Sequence, residues 1–143
     1  MATQTDYQYT WGNSVDGFLH TFIAEGAIAE GELVELGTAG RQVKKHTTTL
    51  GNAVIGVCHE AASDGDPVVI CCPGPIRKVR AAAAGITRGQ LVVPSSVTAG
   101  ACMSQAYANG STVHGVIGIA LETGDELNER VPVLMATPWA LNA

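Results

Sequence analysis

The sequence predicts an all-β fold, a compact barrel or sandwich built from two similar tandem units, with an extended amino-terminal arm and little helix. Three observations carry this reading. Val54-Ile55-Gly56-Val57 returns as Val116-Ile117-Gly118-Ile119, 62 residues further on. Ile28-Ala29-Glu30-Gly31-Glu32-Leu33-Val34 stands before the first copy and Ile86-Thr87-Arg88-Gly89-Gln90-Leu91-Val92 before the second, sharing the pattern Ile-x-x-Gly-x-Leu-Val. Short apolar runs recur at spacings of about ten residues, divided by Gly, Pro, Asp and Ser, and none is long enough for an ordinary helix. Two copies of such a length are too few for a solenoid, which needs at least three. The economical arrangement is one β domain over residues 18–143, with pseudo-repeats at about 27–72 and 85–135. The repeated positions are Ile, Leu, Val and Gly, whereas acids and bases change freely between copies, so packing is what repeats.

Residues 1–17 are polar and place Tyr7, Tyr9 and Trp11 at alternate positions, which in an extended chain puts the three rings on one side. They read as an arm, with a first strand of the domain's own sheet as the competing reading. Phe18 to Ala24 alternates with large apolar groups on both faces, as in a strand covered on both sides. Leu33 to Leu36 and Gln42 to Lys45 follow as short strands between glycines. Thr47 to Asn52 is a loop and Val54 to Cys58 a core strand, in which Gly56 marks a close backbone approach or a bulge. Asp64-Gly65-Asp66 turns the chain into the strand Pro67 to Cys72. Pro73-Gly74-Pro75 makes a hard corner before the strand Ile76 to Arg80. Ala81 to Ala84 is too short for a helix of its own and reads as a strand end or a single turn. Leu91-Val92-Val93 is a strand, and the Ser, Thr, Ala and Gly stretch after Pro94 reads as irregular to about Gly115. Gly124 to Arg130 is a solvated loop or one helical turn before the last strand, Val131 to Leu134.

Composition limits the function. Apolar residues make up 46% and charged residues 15%, a charge content below the roughly 25% of ordinary soluble proteins, so part of the surface is expected to face another protein. A chain of 143 residues sustains a core unaided. The net charge of −5 argues against nucleic acid as a partner, because such binding rests on Lys and Arg neutralising phosphates. The amino terminus lacks a basic flank and apolar run, and no stretch is long enough for a membrane helix. Synthesis in a cytoplasm and no membrane partner are expected. Cys58, Cys71, Cys72 and Cys102 include no C-x-x-C and no His pair at metal spacing, so they read as reduced, buried thiols, with no metal or cofactor expected.

The constellations that tempt a chemical reading are weak. Cys58-His59-Glu60 sets a thiol beside a base, but strand neighbours point to opposite faces. His20, His46, His59 and His114 are scattered singly. Asp64-Gly65-Asp66 lacks the other ligands of a calcium loop. Glu30, Glu32 and Glu35 read as solvated strand and turn positions, since Arg88 and Gln90 replace the first two in the second copy. Arg77, Lys78 and Arg80, with Arg41, Lys44 and Lys45, are read as a basic patch suited to an acidic protein surface. No catalytic site is expected.

Taken in order, Ala27 to Val34, Val54 to Val57, the Gly-Asp-Pro-Val turn at Gly65 to Val68, Ile86 to Val92 and Val116 to Glu122 resemble the capsid cement, or head decoration, proteins of tailed bacteriophages. The resemblance covers roughly residues 24–135 and omits the arm and the Pro138-Trp139 tail; Cys71-Cys72 is not part of the pattern. It implies a non-enzymatic structural protein of the virion, assembled in the host cytoplasm. Such a protein binds the outer capsid surface, cements neighbouring major capsid protein subunits and stabilises the expanded head. It implies a homotrimer, with a dimer as the alternative. Contacts to the capsid or to neighbours are expected from Tyr7, Tyr9, Trp11, Arg77, Lys78, Arg80 and Trp139. The competing functional reading is a small β-barrel module for a ligand or peptide.

Overall fold

Alternation of apolar side chains, cut by glycines that allow tight turns, produces ten short strands among the described residues and no helix. The computed structural model describes residues 19–48, 53–71, 76–105 and 115–135. The arm with Tyr7, Tyr9 and Trp11, the Pro73-Gly74-Pro75 corner and the tail with Trp139 lie outside these residues. In chain order the strands are β1 (Leu19–Ala24), β2 (Leu33–Leu36), β3 (Gln42–Lys45), β4 (Gly56–Cys58) and β5 (Pro67–Cys71). They continue as β6 (Ile76–Arg80), β7 (Leu91–Pro94), β8 (Cys102–Gln105), β9 (Gly118–Ala120) and β10 (Arg130–Met135).

The first five strands close into a barrel in the order β1-β3-β2-β4-β5, and the second five form a sheet in the order β6-β10-β9-β7-β8. These are one topology used twice. β1 runs antiparallel to β5 as β6 does to β10, and β2 lies between β3 and β4 as β7 lies between β8 and β9. The parallel pairing of β1 with β3, which includes Ala24 opposite Val43, shrinks in the second unit to one parallel bridge between Ala81 and Cys102. Turn hydrogen bonds repeat as well: Ile28 exchanges both with Ala62, and Ile86 both with Gly124, while Gly31 N donates to Cys58 O as Gly89 N donates to Ala120 O. Each unit therefore begins one strand ahead of the repeated apolar words, at β1 and at β6.

The repeated glycines are fixed by close approach. A β-carbon on Gly56 would strike the carbonyl oxygen of Cys71 and lie 2.6 Å from Ile70 Cγ2. One on Gly118 would strike the carbonyl oxygen of Leu134 and lie 2.7 Å from Val133 Cγ1. At each site a neighbouring strand crosses directly over the glycine, so no side chain fits.

Inward-facing positions build two cores. Ala24, Ile28, Val34, Val43, Cys58, Val68 and Ile70 fill the first barrel. Val79, Ala81, Ile86, Val92, Cys102, Ala120, Val131 and Val133 fill the second, and Leu33, Val54 and Val57 from outside the first barrel join that cluster. The incompletely closed second unit is thus sealed by the outer face of the first. The turn Glu30-Gly31-Glu32 supplies the seam: Arg80 N donates to Gly31 O at 2.9 Å and Leu33 N to Gly100 O at 2.8 Å. In the first unit the position equivalent to Arg80 N is Ile23 N, which donates to Arg41 O within its own barrel.

Two details differ from the sequence reading. β1 is not covered on both sides, since Leu19, His20, Thr21 and Ile23 are exposed, and large apolar side chains alone did not reveal which face had a neighbour. β8 falls in the stretch read as irregular; its Cys-Met-Ser-Gln sequence has little β-branched character, and pairing to β7 rather than propensity makes it a strand.

Candidate functional site

Buried ionisable groups are the first place to look for chemistry, because burial perturbs them. Glu32 and Glu35, expected to be solvated, are both buried, Glu35 completely at 0% exposure. Register accounts for the difference. Glu35 lies opposite Lys44 across β2 and β3, and its carboxylate meets Lys44 Nζ at 3.6 Å, His46 Nε2 at 3.7 Å and Thr47 N at 3.2 Å. Glu32 pairs with Lys45 Nζ at 3.0 Å and accepts from Ala29 N at 2.8 Å. Each carboxylate is thus compensated inside the fold, as burial demands. The Glu35 and His46 pair has the elements of an acid and a base, but with both side chains sealed from solvent no substrate reaches them.

The thiols are equally inert. Cys58, Cys71 and Cys102 are buried. Cys58 Sγ donates to Glu60 O at 2.9 Å rather than meeting His59, as strand alternation requires. Burial, the largest cause, pushes the Cys58 thiol up from 9.0 to about 11, and burial alone pushes Cys102 higher still. A thiolate nucleophile needs the opposite shift. Because Cys58 holds its proton more tightly when folded, its contribution to stability is intact below pH 9 and is lost as pH rises toward about 11. A Cys72→Ser variant at pH 8 is expected to show no rapid reaction with a disulfide reagent, and three titratable thiols once denatured. Fast labelling of any thiol in the folded variant would contradict this burial.

Among the described residues no group of three His, Cys, Asp or Glu converges as a metal site, and no helix is long and apolar enough to cross a membrane. A recess of about 420 Å3 lies beside the Ile28 turn, lined by Ile28 and four alanines together with Lys45, Ser63, Asp66 and Pro67. It is open rather than enclosed, unlike the concave sites that bury most of a small ligand.

The basic residues do not assemble into the expected patch. Alternation along β6 turns Arg77 inward with Val79, where it is 3% exposed, while Lys78 and Arg80 lie on the other face. Arg80 Nε donates to Glu30 O at 2.7 Å, and Arg130 Nη1 meets Glu30 Oε1 at 2.6 Å, so these cations serve the seam between the units. Lys44 and Lys45 are taken up by Glu35 and Glu32. Reading Arg77, Lys78 and Arg80 as one cluster missed the two-residue period of a strand. Tyr7, Tyr9, Trp11 and Trp139 are outside the described residues.

Among its polar and charged residues the described surface also carries some large apolar side chains. Leu19, Ile23, Leu36, Val97, Ile119, Leu127 and Leu134 are all exposed. Leu134 and Ile119 are register partners on the outer face of the second sheet.

Residues 15–135 match the phage cement protein family. The chain belongs to that family. No curated protein is similar to it. Among solved structures it is similar to the N base of the head fiber protein gp8.5 of bacteriophage phi29, at TM-score 0.62 and 15% identity, over 83% of this chain and 93% of that one. At that identity the likeness is one of fold. The family is one of structural phage proteins rather than enzymes, so this member is a capsid-associated structural component of a phage virion.

Proposed function

We propose that this cement protein binds the outer surface of a phage capsid and ties neighbouring major capsid protein subunits together, stabilising the expanded head. The observation that supports this most is family membership over 15–135, in a molecule whose buried ionisable groups are sealed inside the fold. Chemistry and cofactors have no part in the proposed role. A homotrimer is the assembly proposed, with a dimer as the alternative. Several chains of one oligomer, each holding a separate capsid subunit, attach at high effective concentration, so modest contacts add up to firm attachment. Tyr7, Tyr9, Trp11 and Trp139 are proposed as ring-sized anchors, and Lys78 and Arg80 as further contacts. Arg77 is withdrawn from that set because it faces inward. The protein is assembled in the host cytoplasm and resides on the outside of the virion.

Mixing purified protein with undecorated expanded heads is expected to give saturable, stoichiometric uptake at micromolar protein. No uptake at that concentration would overturn the proposal. Deletion of residues 1–15 is expected to weaken uptake while leaving the unfolding temperature within a few degrees of the intact chain, since both apolar cores lie beyond the arm. A truncated chain that does not fold would instead assign those residues to the sheet.

A further inference from the structure

Among the described residues, seven glycines, Asn128 and Arg41 stand at positive φ. Asn128, at φ 66°, needs no special account, because asparagine tolerates this conformation through its short polar side chain. Its counterpart in the first unit is Gly65: Asn128 N donates to Ala81 O as Gly65 N donates to Ala24 O. Arg41, also at φ 66°, is different, since a long side chain there works against the backbone. The repeat shows which residue suits the position. Gly37 N donates to Gln42 O as Ser95 N does to Ala101 O, and Gln42 N to Ala39 O as Ala101 N does to Thr98 O. Arg41 therefore matches Gly100, which has φ 74°.

Gly100 lies in the seam, where its N donates to His46 O and a β-carbon would come within 2.7 Å of Lys45 Cγ. The first unit's turn faces solvent instead, with Arg41 exposed and nothing within 4 Å of a β-carbon on the adjacent Gly40. That turn is held without the guanidinium. Thr38 N and Oγ1 donate to the Glu25 carboxylate, Ala39 N donates to Gln42 Oε1 at 3.1 Å, and Arg41 supplies only its carbonyl, which accepts from Ile23 N. The other cations mark Arg41 out again. Lys44, Lys45 and Arg130 pair with carboxylates, and Arg80 Nε donates to Glu30 O. Among the described residues the side chains of Arg41 and Arg88 make neither hydrogen bond nor ion pair, and Arg88 is not at positive φ. Arg41 thus occupies a strained position and gives the fold nothing in return.

We propose that Arg41 is a contact of this chain with the capsid, its guanidinium pairing with a carboxylate of a major capsid protein subunit. The proposal rests on the capsid reading above and assigns it a residue. The planar fork of donors matches a carboxylate, and a turn already fixed by Glu25 and Gln42 presents it with little ordering left to do on docking. Apolar side chains stand at the same corner of the barrel. Leu36, 59% exposed, immediately precedes the turn, and Ile23, 36% exposed, is the register partner of Gln42. An arginine rimmed by apolar groups that exclude water is a common composition of binding hot spots. A strained backbone persists at such a residue because binding, and not folding, uses the side chain.

Arg41→Gly in the full chain separates binding from folding. Glycine suits this φ, so the variant is expected to unfold at the wild-type temperature or a few degrees above it. Its affinity for undecorated expanded heads is expected to fall at least about tenfold. Arg41→Lys, which keeps the charge and loses the fork, is expected to bind between the two. Arg88→Ala removes an exposed, equally unpaired cation and is expected to bind within about twofold of the wild type. Wild-type affinity in Arg41→Gly overturns the proposal, and if that variant also loses the wild-type oligomer on sedimentation, Arg41 lies between copies of the chain instead. Equal losses from Arg41→Gly and Arg88→Ala overturn it by tracing the effect to net charge. So does an Arg41→Gly chain that unfolds well below the wild type, because the arginine then serves the fold. Heads that take up no wild-type protein defeat the capsid reading and this assignment together, whereas uptake indifferent to Arg41 defeats the assignment alone.

Discussion

Gly118→Ala is expected to destabilise the protein by about 3 kcal/mol or more, and Gly56→Ala by a similar amount. Both glycines lie where the next strand's carbonyl, Leu134 O or Cys71 O, occupies the space a methyl group needs. Backbone cannot swing aside as a flexible side chain does, so the strands must part, and the ladder between β9 and β10 or between β4 and β5 loses its hydrogen bonds. Denaturant unfolding by circular dichroism measures the cost. Gly65→Ala is the informative comparison, because nothing lies within 4 Å of its β-carbon position and only its φ of 82° is strained. Its expected loss is about 1 kcal/mol. A Gly118→Ala variant as stable as the wild type would remove the close-approach explanation of the repeated Val-Ile-Gly word.

Leu33→Ala is expected to cost about 3 kcal/mol, whereas Leu91→Ala, at the matching place in the second unit, is expected to cost about 1 kcal/mol. The difference is one of burial. Leu33 is fully enclosed where the first barrel seals the second, and Leu91 is only half-covered. Truncating Leu33 leaves a cavity between the two units that neither can collapse to fill, because its backbone N is tied to Gly100 O. Equal losses from the two substitutions in dilute, monomeric protein would mean that the seam is not where the units hold each other.

The tandem architecture was legible because the repeated words fall on positions whose role is geometric. Ile28 and Ile86 bridge equivalent distant partners, Ala62 and Gly124, and Gly56 and Gly118 lie under crossing strands, so selection for packing leaves the same letters at both. The opening strand of each unit was not legible as a repeat. Leu19–Ala24 and Ile76–Arg80 share only an alternating pattern, and their partners, β5 and β10, lie roughly fifty residues on, where sequence patterns carry no pairing information. Burial of Glu35 was hidden for a related reason. An acid on a strand reads as solvent-facing until the register sets Lys44 and His46 beside it. The inward turn of Arg77 was within reach, since Ile76, Lys78 and Arg80 share its opposite face by simple alternation. For the family, the order and spacing of the apolar words sufficed, because they mark the positions that packing fixes.

The most direct measurement of the cementing role is the temperature at which DNA-filled expanded heads release their DNA, with and without saturating protein. Tying adjacent capsid subunits together is expected to raise that temperature in proportion to occupancy, with the increase lost when the protein is stripped. Heads that bind a full complement of the protein and yet release DNA at the temperature of bare heads would contradict it.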